Sequence, residues 1–234
     1  MAEQIDSPPV ASRSLQRGFF RRWVFPVLVI AAIAGVIWWL DNRNQAAVSP
    51  SGQRYGSAEL PAALALPGID VSPAQGKLAP DFLLENIDGS DLRLSDLRGR
   101  PVILNFWATW CESCRKEMPQ FVDAQARLAD QGLTVVAVNM QEGKSIVSPF
   151  AQERGMKFPV LIDRTGDVGD EYRLLGLPTT FFIGRDGIVR SVFTGPFLEQ
   201  SRGTNVQEPI GAHDLEQRIA EILAPPPAKS AAGS

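Results

Sequence analysis

The two cysteines of the chain, Cys111 and Cys114, stand two residues apart in the run WCESC. A disulfide between them closes a very small loop, which removes little entropy from the unfolded chain and adds little stability. Two thiols cannot supply the four ligands of a structural zinc site, and the single histidine, His213, is about a hundred residues away. The pattern therefore favours a pair that forms and breaks a disulfide in a reaction.

The residues on either side of the pair predict that the two sulfurs are unequal. The apolar run 101–107 predicts a buried strand, and the residues that follow predict a helix that begins near Cys111 and ends near Asp130. A helix N-terminus has unpaired amides and a positive dipole end, which favour a thiolate. We therefore predict that Cys111 is the nucleophile that attacks a partner disulfide, and that the more covered Cys114 resolves the mixed disulfide.

An apolar run of 18 residues, Trp23 to Leu40, predicts a transmembrane helix. Such a helix extends roughly 27 Å, close to the thickness of the bilayer core. Arginines precede the run, so the positive-inside tendency places 1–22 in the cytoplasm and the rest of the chain outside. The alternatives are a cleaved signal peptide, whose apolar core is usually shorter, and a buried core helix.

Composition divides the rest of the chain into a linker, one domain and a tail. Residues 41–76 mix small and polar residues without a sustained period, which predicts a linker. Residues 77–224 have the size of an ordinary single domain, and 225–234 predict a flexible tail. The net charge of -3 argues against a general nucleic-acid binder.

The hydrophobic pattern within 77–224 predicts an α/β fold with a mixed sheet flanked by helices. Alternating residues on both sides of Asp88-Gly89 predict a β-hairpin. Further strands are predicted at 133–139, 159–162, 179–183 and 188–193, and further helices at 145–154, 167–175 and 212–223.

Two motifs resemble the ResA/TlpA-type branch of the thioredoxin superfamily: NFWATWCESCRKEMP at 105–119 and GLPTTFFIGRDG at 176–187. The resemblance covers 77–224. Members of this branch are membrane-tethered thiol–disulfide oxidoreductases that face the extracytoplasmic side. The resemblance implies a thioredoxin-like fold with an added N-terminal hairpin and a central insertion around 141–158. It implies no cofactor beyond the redox-active disulfide Cys111–Cys114.

The same resemblance assigns further site residues. It implies that Pro178 is cis and lies beside Cys111, and that the backbone of Leu177 pairs with the extended chain of the substrate. Glu117 stands where this branch has a glutamate that handles the protons of the thiols. The alternative for Glu117 is a solvated side chain that complements the helix dipole.

Other residues near the motif have expected roles of lesser weight. Trp107 and Trp110 are expected to wall the site, although Trp107 is alternatively a core residue. Glu112 is expected to be exposed and to influence the choice of partner. Asn105 replaces the buried aspartate of cytoplasmic thioredoxins, and Ser113 stands where many relatives have proline. The segment 196–211 is longer than in the family pattern and is either a mobile surface loop or a partner-docking element.

The expected function follows from the resemblance: reduction of disulfides in client proteins such as apocytochrome c, with re-reduction by a membrane electron donor. One alternative is an oxidase that donates disulfides. A second is an extracytoplasmic peroxidase, because the opening of the domain also resembles peroxiredoxins. A third is a non-enzymatic copper-delivery protein of the Sco type. That family separates its cysteines by three residues and uses a distal histidine, whereas the gap here is two and His213 lies on the last predicted helix.

Overall fold

The computed structural model describes residues 26–37, 48–50, 52–197 and 212–225, and the chain divides into two units at Gln45. In the first unit, residues 26–37 form helix α1, whose side chains are exposed. None of the helices in the described ranges is long and apolar enough to cross a membrane. Both ends of the predicted anchor 23–40 lie outside these ranges, as do 1–22 and most of 225–234.

The second unit contains a mixed sheet, four α-helices and three short 3-10 helices in its described part. The strands are β1 (Gly56–Ala58), β2 (Asp81–Asn86), β3 (Asp91–Arg93), β4 (Val102–Trp107), β5 (Thr134–Met140), β6 (Val160–Asp163), β7 (Thr179–Ile183) and β8 (Val189–Thr194). The α-helices are α2 (Glu112–Leu128), α3 (Lys144–Glu153), α4 (Asp167–Glu171) and α5 (Ala212–Leu223), and the 3-10 helices are Ala62–Leu64, Leu94–Leu97 and Ala129–Gln131.

The strand order is β1-β2-β6-β5-β4-β7-β8, and β3 pairs with β2. Strands β4, β5 and β6 are parallel neighbours, whereas β7 is antiparallel to β4 and β2 is antiparallel to β6. Helices α2, α3 and α5 cover one face of the sheet, and α4 covers the other. The predicted α/β fold with a mixed sheet and flanking helices is confirmed.

Burial on both faces explains the composition of the central strand β4. Alternate side chains of a strand point to opposite faces, and in β4 both sets are buried against covering helices. All of its residues are apolar except Asn105, which is fully buried. A polar side chain in such a position requires hydrogen-bond partners, because an unpaired buried polar group is costly.

The predicted hairpin and insertion have clear places in this architecture. Strands β2 and β3 form the antiparallel hairpin around Asp88-Gly89. The segment 141–158 contains α3 and connects the parallel strands β5 and β6. The helix predicted over 167–175 ends at Glu171, since Arg173 has a φ of 51°, which is incompatible with a continuing α-helix.

The prediction of a linker over 41–76 was wrong for its second half. Strand β1 pairs with β2 and extends the sheet. The Arg93 guanidinium donates to the carbonyl of Glu59 at 2.5 Å, and the Tyr55 hydroxyl donates to Asp91. A three-residue strand is too short to show alternation, and these partners are distant in the sequence. Periodicity therefore gave no indication of this ordered segment.

Candidate active site

The loop between β4 and α2 places the two cysteines at the start of the helix. Cys111 is the N-cap residue of α2, Cys114 lies in its first turn, and the two form a disulfide with a Cα–Cα distance of 5.3 Å. The Cys114 amide donates to Cys111 Sγ at 3.2 Å. Cys111 is 7% exposed and Cys114 is completely buried. An incoming sulfur can therefore reach Cys111 more easily, and the helix N-terminus is placed to stabilise a thiolate there.

Ser113, the residue that departs from the family pattern, lies beside this sulfur. Its hydroxyl oxygen is 3.4 Å from Cys111 Sγ. A proline at this position would have no hydroxyl. The reactive sulfur of this chain therefore has a polar neighbour that a relative with proline at this position lacks.

The loop before β7 approaches the same end of the sheet. Thr179 pairs with Phe106 in the register of β4 and β7, so the preceding residue lies level with the end of β4, where the disulfide loop begins. The Leu177–Pro178 peptide bond is cis. Within the described chain, Leu177 makes no backbone hydrogen bond. Its N–H and C=O are therefore available to an extended polypeptide.

A groove of about 470 Å³ runs beside the disulfide loop. Trp110, which is 71% exposed, forms one wall, and Leu175, which is 95% exposed, belongs to the segment that forms the other. Gly166 and Gly169 line it, together with the exposed carboxylate of Asp170. The groove is thus a mixed surface with two large apolar side chains at its margin, beside the loop that contains Leu177.

Of the two tryptophans expected to wall the site, only Trp110 lines this groove. Trp107 is fully buried and packs against Phe150 with ring centroids 5.2 Å apart. Trp107 belongs to the same core cluster as Cys111 and Cys114, which corresponds to the alternative of a core residue. Glu112 is exposed, as expected, and forms an ion pair with Lys116 at 2.8 Å.

Glu117, one helical turn after Cys114, is fully buried. Its Oε1 accepts from Asn105 Nδ2 at 2.9 Å, and its Oε2 accepts from the Phe197 amide at 3.0 Å. Burial raises the pKa of Glu117 to about 8, and the hydrogen bonds from Phe197 and Asn105 offset part of that rise. A solvated role for Glu117 does not fit this position. A carboxyl that titrates near neutral pH can accept or donate a proton.

A second carboxylate, which the sequence did not single out, holds the disulfide loop. Glu142 accepts from the Thr109 amide at 2.7 Å, from the Thr109 hydroxyl at 2.5 Å and from Asn139 Nδ2 at 2.8 Å. The sequence contained one signal for this contact. Glu142 follows β5, and the carboxyl ends of parallel neighbours such as β4 and β5 meet at one edge of the sheet, so Glu142 is expected near the loop after β4. Phe197 and Thr180 were also missed, because only the folded chain brings Phe197 to Glu117 and Thr180 to Asn105.

Three or more metal-binding side chains do not come together anywhere in the described part of the chain. His213 lies in α5, and its side chain is outside the described residues. Residues 198–211, most of the segment expected to be either a mobile surface loop or a partner-docking element, also lie outside them. What the described site offers is a disulfide at a helix N-terminus, a titratable carboxyl one turn away, and a groove with a free backbone edge.

Comparisons with known proteins agree with this chemistry. The family model for AhpC/TSA matches residues 75–192, which include both motifs at 105–119 and 176–187. The chain is 44% identical over 128 residues to the thiol-disulfide oxidoreductase ResA of Bacillus subtilis (strain 168), covering 55% of this chain and 72% of that protein. It is 42% identical over 127 residues to ResA of Geobacillus kaustophilus (strain HTA426), covering 54% and 73%.

A solved structure shows the same fold. The crystal structure of a thiol:disulfide interchange protein of the thioredoxin family from Chlorobium tepidum TLS matches with a TM-score of 0.54 and 28% identity. The match covers 64% of this chain and 99% of that one. The thioredoxin-like fold expected from the motifs is therefore confirmed.

Proposed function

Because the chain belongs to the AhpC/TSA family and, within it, to the ResA-type thiol–disulfide oxidoreductases, we propose that it reduces disulfides in client proteins on the extracytoplasmic side of a membrane. The predicted family and the predicted enzyme class, with CxxC as the active site, are confirmed. The observation that supports the proposal best is the disulfide at the N-terminus of α2, with Cys111 as its more accessible member.

The proposed reaction begins with both cysteines reduced. The Cys111 thiolate attacks one sulfur of the client disulfide, a mixed disulfide forms, and the other client sulfur leaves as a thiolate. Cys114 then loses its proton and attacks Cys111 Sγ. The Cys111–Cys114 bond forms, the mixed disulfide breaks, and the second client thiolate leaves. Two electrons pass from the cysteine pair to the client, whose thiolates take up protons.

Glu117 is the proposed acceptor of the Cys114 proton. It lies one turn beyond Cys114 and has its pKa raised to about 8, so in the disulfide form near neutral pH it holds a proton. This is the form expected after it has accepted the proton of Cys114. When an electron donor later reduces the disulfide, Glu117 returns the proton to the Cys114 thiolate, and the cycle closes.

The proposed client is a protein whose disulfide lies in an extended segment. Leu177 has free backbone groups for strand-like pairing, and the groove between Trp110 and Leu175 offers apolar contacts to neighbouring side chains. Pro178 separates this edge from β7 and is a proposed substrate-binding residue. Exposed Glu112 is a proposed contributor to partner choice. Apocytochrome c is the proposed client, and a membrane protein is the proposed electron donor.

We also propose the organisation that the sequence predicts for the N-terminal part. Residues 1–22 lie in the cytoplasm, 23–40 anchor the chain in the membrane, and the oxidoreductase domain faces outward. The support is the apolar run, the arginines before it and the likeness to ResA. The ordered domain begins earlier than predicted, since β1 at Gly56–Ala58 is part of the sheet.

A thiol-trapping experiment tests the proposed division of labour. Cys114→Ser should accumulate mixed disulfides with clients, because the resolving thiol is missing, and Cys111→Ser should lose exchange altogether. Non-reducing gels of the two variants give the readout. Equal exchange activity in both variants and in the wild type would overturn the assignment.

The reduction potential of the pair tests the direction of electron flow. A value near about -270 mV, as in thioredoxin, supports the reductase, and one near about -120 mV, as in DsbA, supports the disulfide-donating oxidase instead. The measurement is an equilibrium titration of the full chain against a thiol–disulfide buffer, with the redox state read by alkylation.

A further inference from the structure

A buried polar cluster joins three elements next to the active-site helix. Asn105 of β4 donates through Nδ2 to Glu117 Oε1 at 2.9 Å and to Thr180 Oγ1 of β7 at 3.0 Å. The Phe197 amide donates to the other carboxyl oxygen of Glu117. Asn105, Glu117 and Thr180 are all fully buried, and Asn105 Oδ1 has no hydrogen-bond partner.

The observed orientation of the Asn105 amide matches the ionised form of Glu117. Both carboxyl oxygens face donors, which is what a carboxylate requires. Burial, however, favours the neutral acid. A proton on Oε1 of that acid would point at Asn105 Nδ2, which is itself a donor. The acid form of Glu117 therefore needs an acceptor that the observed orientation of Asn105 does not supply.

A half-turn of the Asn105 amide supplies that acceptor. The turn exchanges Nδ2 with Oδ1, so the oxygen then faces both Glu117 and Thr180. In that position Oδ1 accepts from the carboxylic acid of Glu117 and from the Thr180 hydroxyl, which can donate as well as accept. Each orientation leaves one polar atom of the amide unpaired. The number of hydrogen bonds thus favours neither orientation, and the proton on Glu117 decides between them.

We propose that Asn105 is a positioning residue for proton transfer at the disulfide, and that its amide turns with each gain or loss of the Glu117 proton. One orientation holds the carboxylate, and the other holds the acid. An aspartate here could not donate when ionised, and an aliphatic residue could do neither. This inference rests on the proposed role of Glu117 as the acceptor of the Cys114 proton.

The groups around Glu117 leave its own proton as the change that reorients the Asn105 amide. The groups that face it are the Asn105 amide on β4, with Thr180 of β7 behind it, and the Phe197 amide after β8. No charged side chain in the described residues shifts the titration of Glu117. The two cysteines at the start of α2 do not titrate in the disulfide form.

The test follows both side chains by NMR in the full-length disulfide form, from about pH 5 to about pH 10, a range that spans the titration of Glu117. The probes are the Glu117 carboxyl carbon and the Asn105 side-chain amide protons. We expect both to change with one common midpoint. We also expect contacts between the Asn105 amide protons and Thr180 to be lost on the acid side. Asn105 signals that stay constant while Glu117 titrates would overturn the proposal.

Variants of Asn105 test the same proposal through the titration midpoint of Glu117. Asn105→Leu removes both the donor and the acceptor at similar volume, so the Glu117 midpoint should rise by about one to two pH units. If that variant does not fold, Asn105→Asp serves instead, because two carboxyls 2.9 Å apart retain a shared proton to higher pH. An unchanged midpoint in either folded variant contradicts the inference.

The matched control is Thr180→Val, which leaves the Asn105–Glu117 contact in place. Its Glu117 midpoint should shift less than that of Asn105→Leu, and an equal shift would count against a specific role for Asn105. Failure of the underlying function is separately visible. If Glu117→Gln exchanges disulfides at the wild-type rate at every pH, the proton role of Glu117 fails, whether or not the amide turns.

Discussion

At the scale of single residues, the active site combines two sulfurs of unequal access with one buried acid. Cys111 has the helix N-terminus and the amide of Cys114 as neighbours, which favour its thiolate. Burial is the largest influence on the pKa of Glu117, and it favours the neutral acid. Cys111 is thus favoured as a charged thiolate and Glu117 as a neutral acid, which suits the proposed roles of nucleophile and proton carrier at the same pH.

The buried acid should make stability depend on pH. In the folded protein Glu117 keeps its proton up to about pH 8, whereas in the unfolded chain it loses the proton above its ordinary value of 4.5. Its stabilising contribution is therefore fully present below that value and is lost as the pH rises to about 8. The free energy of unfolding should fall by about 1.4 kcal/mol for each pH unit in this window.

Urea unfolding of the disulfide form at a series of pH values measures this dependence. Glu117→Gln should flatten the fall, while Glu112→Gln, which alters an exposed glutamate of the same helix, should retain it. Identical slopes for Glu117→Gln and the wild type would show that Glu117 is not the group responsible.

The sequence was sufficient to predict the CxxC active site, because Cys111 and Cys114 lie within one motif. It also singled out Glu117 through the resemblance, but it did not show the partners of this buried acid. Phe197 reaches Glu117 only through the path of the chain after β8, and Thr180 reaches Asn105 only through the pairing of β7 with β4. Such contacts depend on tertiary structure. The choice between a site role and a core role for Trp107 stayed open for the same reason, since the face to which it points depends on the sheet.

At the scale of elements, the segment between α4 and β7 is the proposed binding surface for the client. Arg173 has a positive φ and ends the helix early, and the chain then presents Leu175 almost fully exposed before the cis peptide. An exposed leucine next to a groove and a free backbone edge offers an apolar contact that the folded protein itself does not use.

Leu175→Asp should weaken client binding without changing the fold. Loss of one apolar contact of this size corresponds to roughly a tenfold rise in KM for a disulfide-containing client peptide, with kcat little changed. Steady-state reduction of the peptide gives both constants. Ile146→Asp, an equally drastic change at an exposed position on α3, is the control and should behave as the wild type. Similar KM values for the two variants would argue against client contact at Leu175.

At the scale of the whole molecule, the proposed anchor puts the two ends of the chain on opposite sides of a membrane. Ser7 lies in the proposed cytoplasmic segment, and Ser90 is exposed in the turn of the β2–β3 hairpin. In a background in which both native cysteines are replaced by serine, Ser7→Cys and Ser90→Cys each introduce a single thiol.

A membrane-impermeant maleimide applied to intact cells should label Ser90→Cys and not Ser7→Cys. Permeabilised cells should show labelling of both, which controls for reactivity. Labelling of Ser7→Cys alone in intact cells would reverse the proposed topology.

The overall architecture was largely predictable, and its exception is informative. The central strands β4 and β5 are buried on both faces, so each is a nearly continuous apolar run that the sequence shows directly. Strand β1 lies at the sheet edge and is only three residues long, and it is held by hydrogen bonds to distant residues. Local composition could not reveal it, and the domain therefore begins earlier than the pattern of 41–76 suggested.

The burial of the disulfide has a consequence for the order of events in turnover. Cys114 has no exposed surface, and Cys111 has little. In the proposed cycle, the client and the electron donor must therefore reach the sulfurs at the same place, and they cannot bind there together. The proposed turnover then follows a double-displacement scheme, in which each partner leaves before the other binds. Between the two half-reactions, only the oxidation state of the cysteine pair records which partner has reacted.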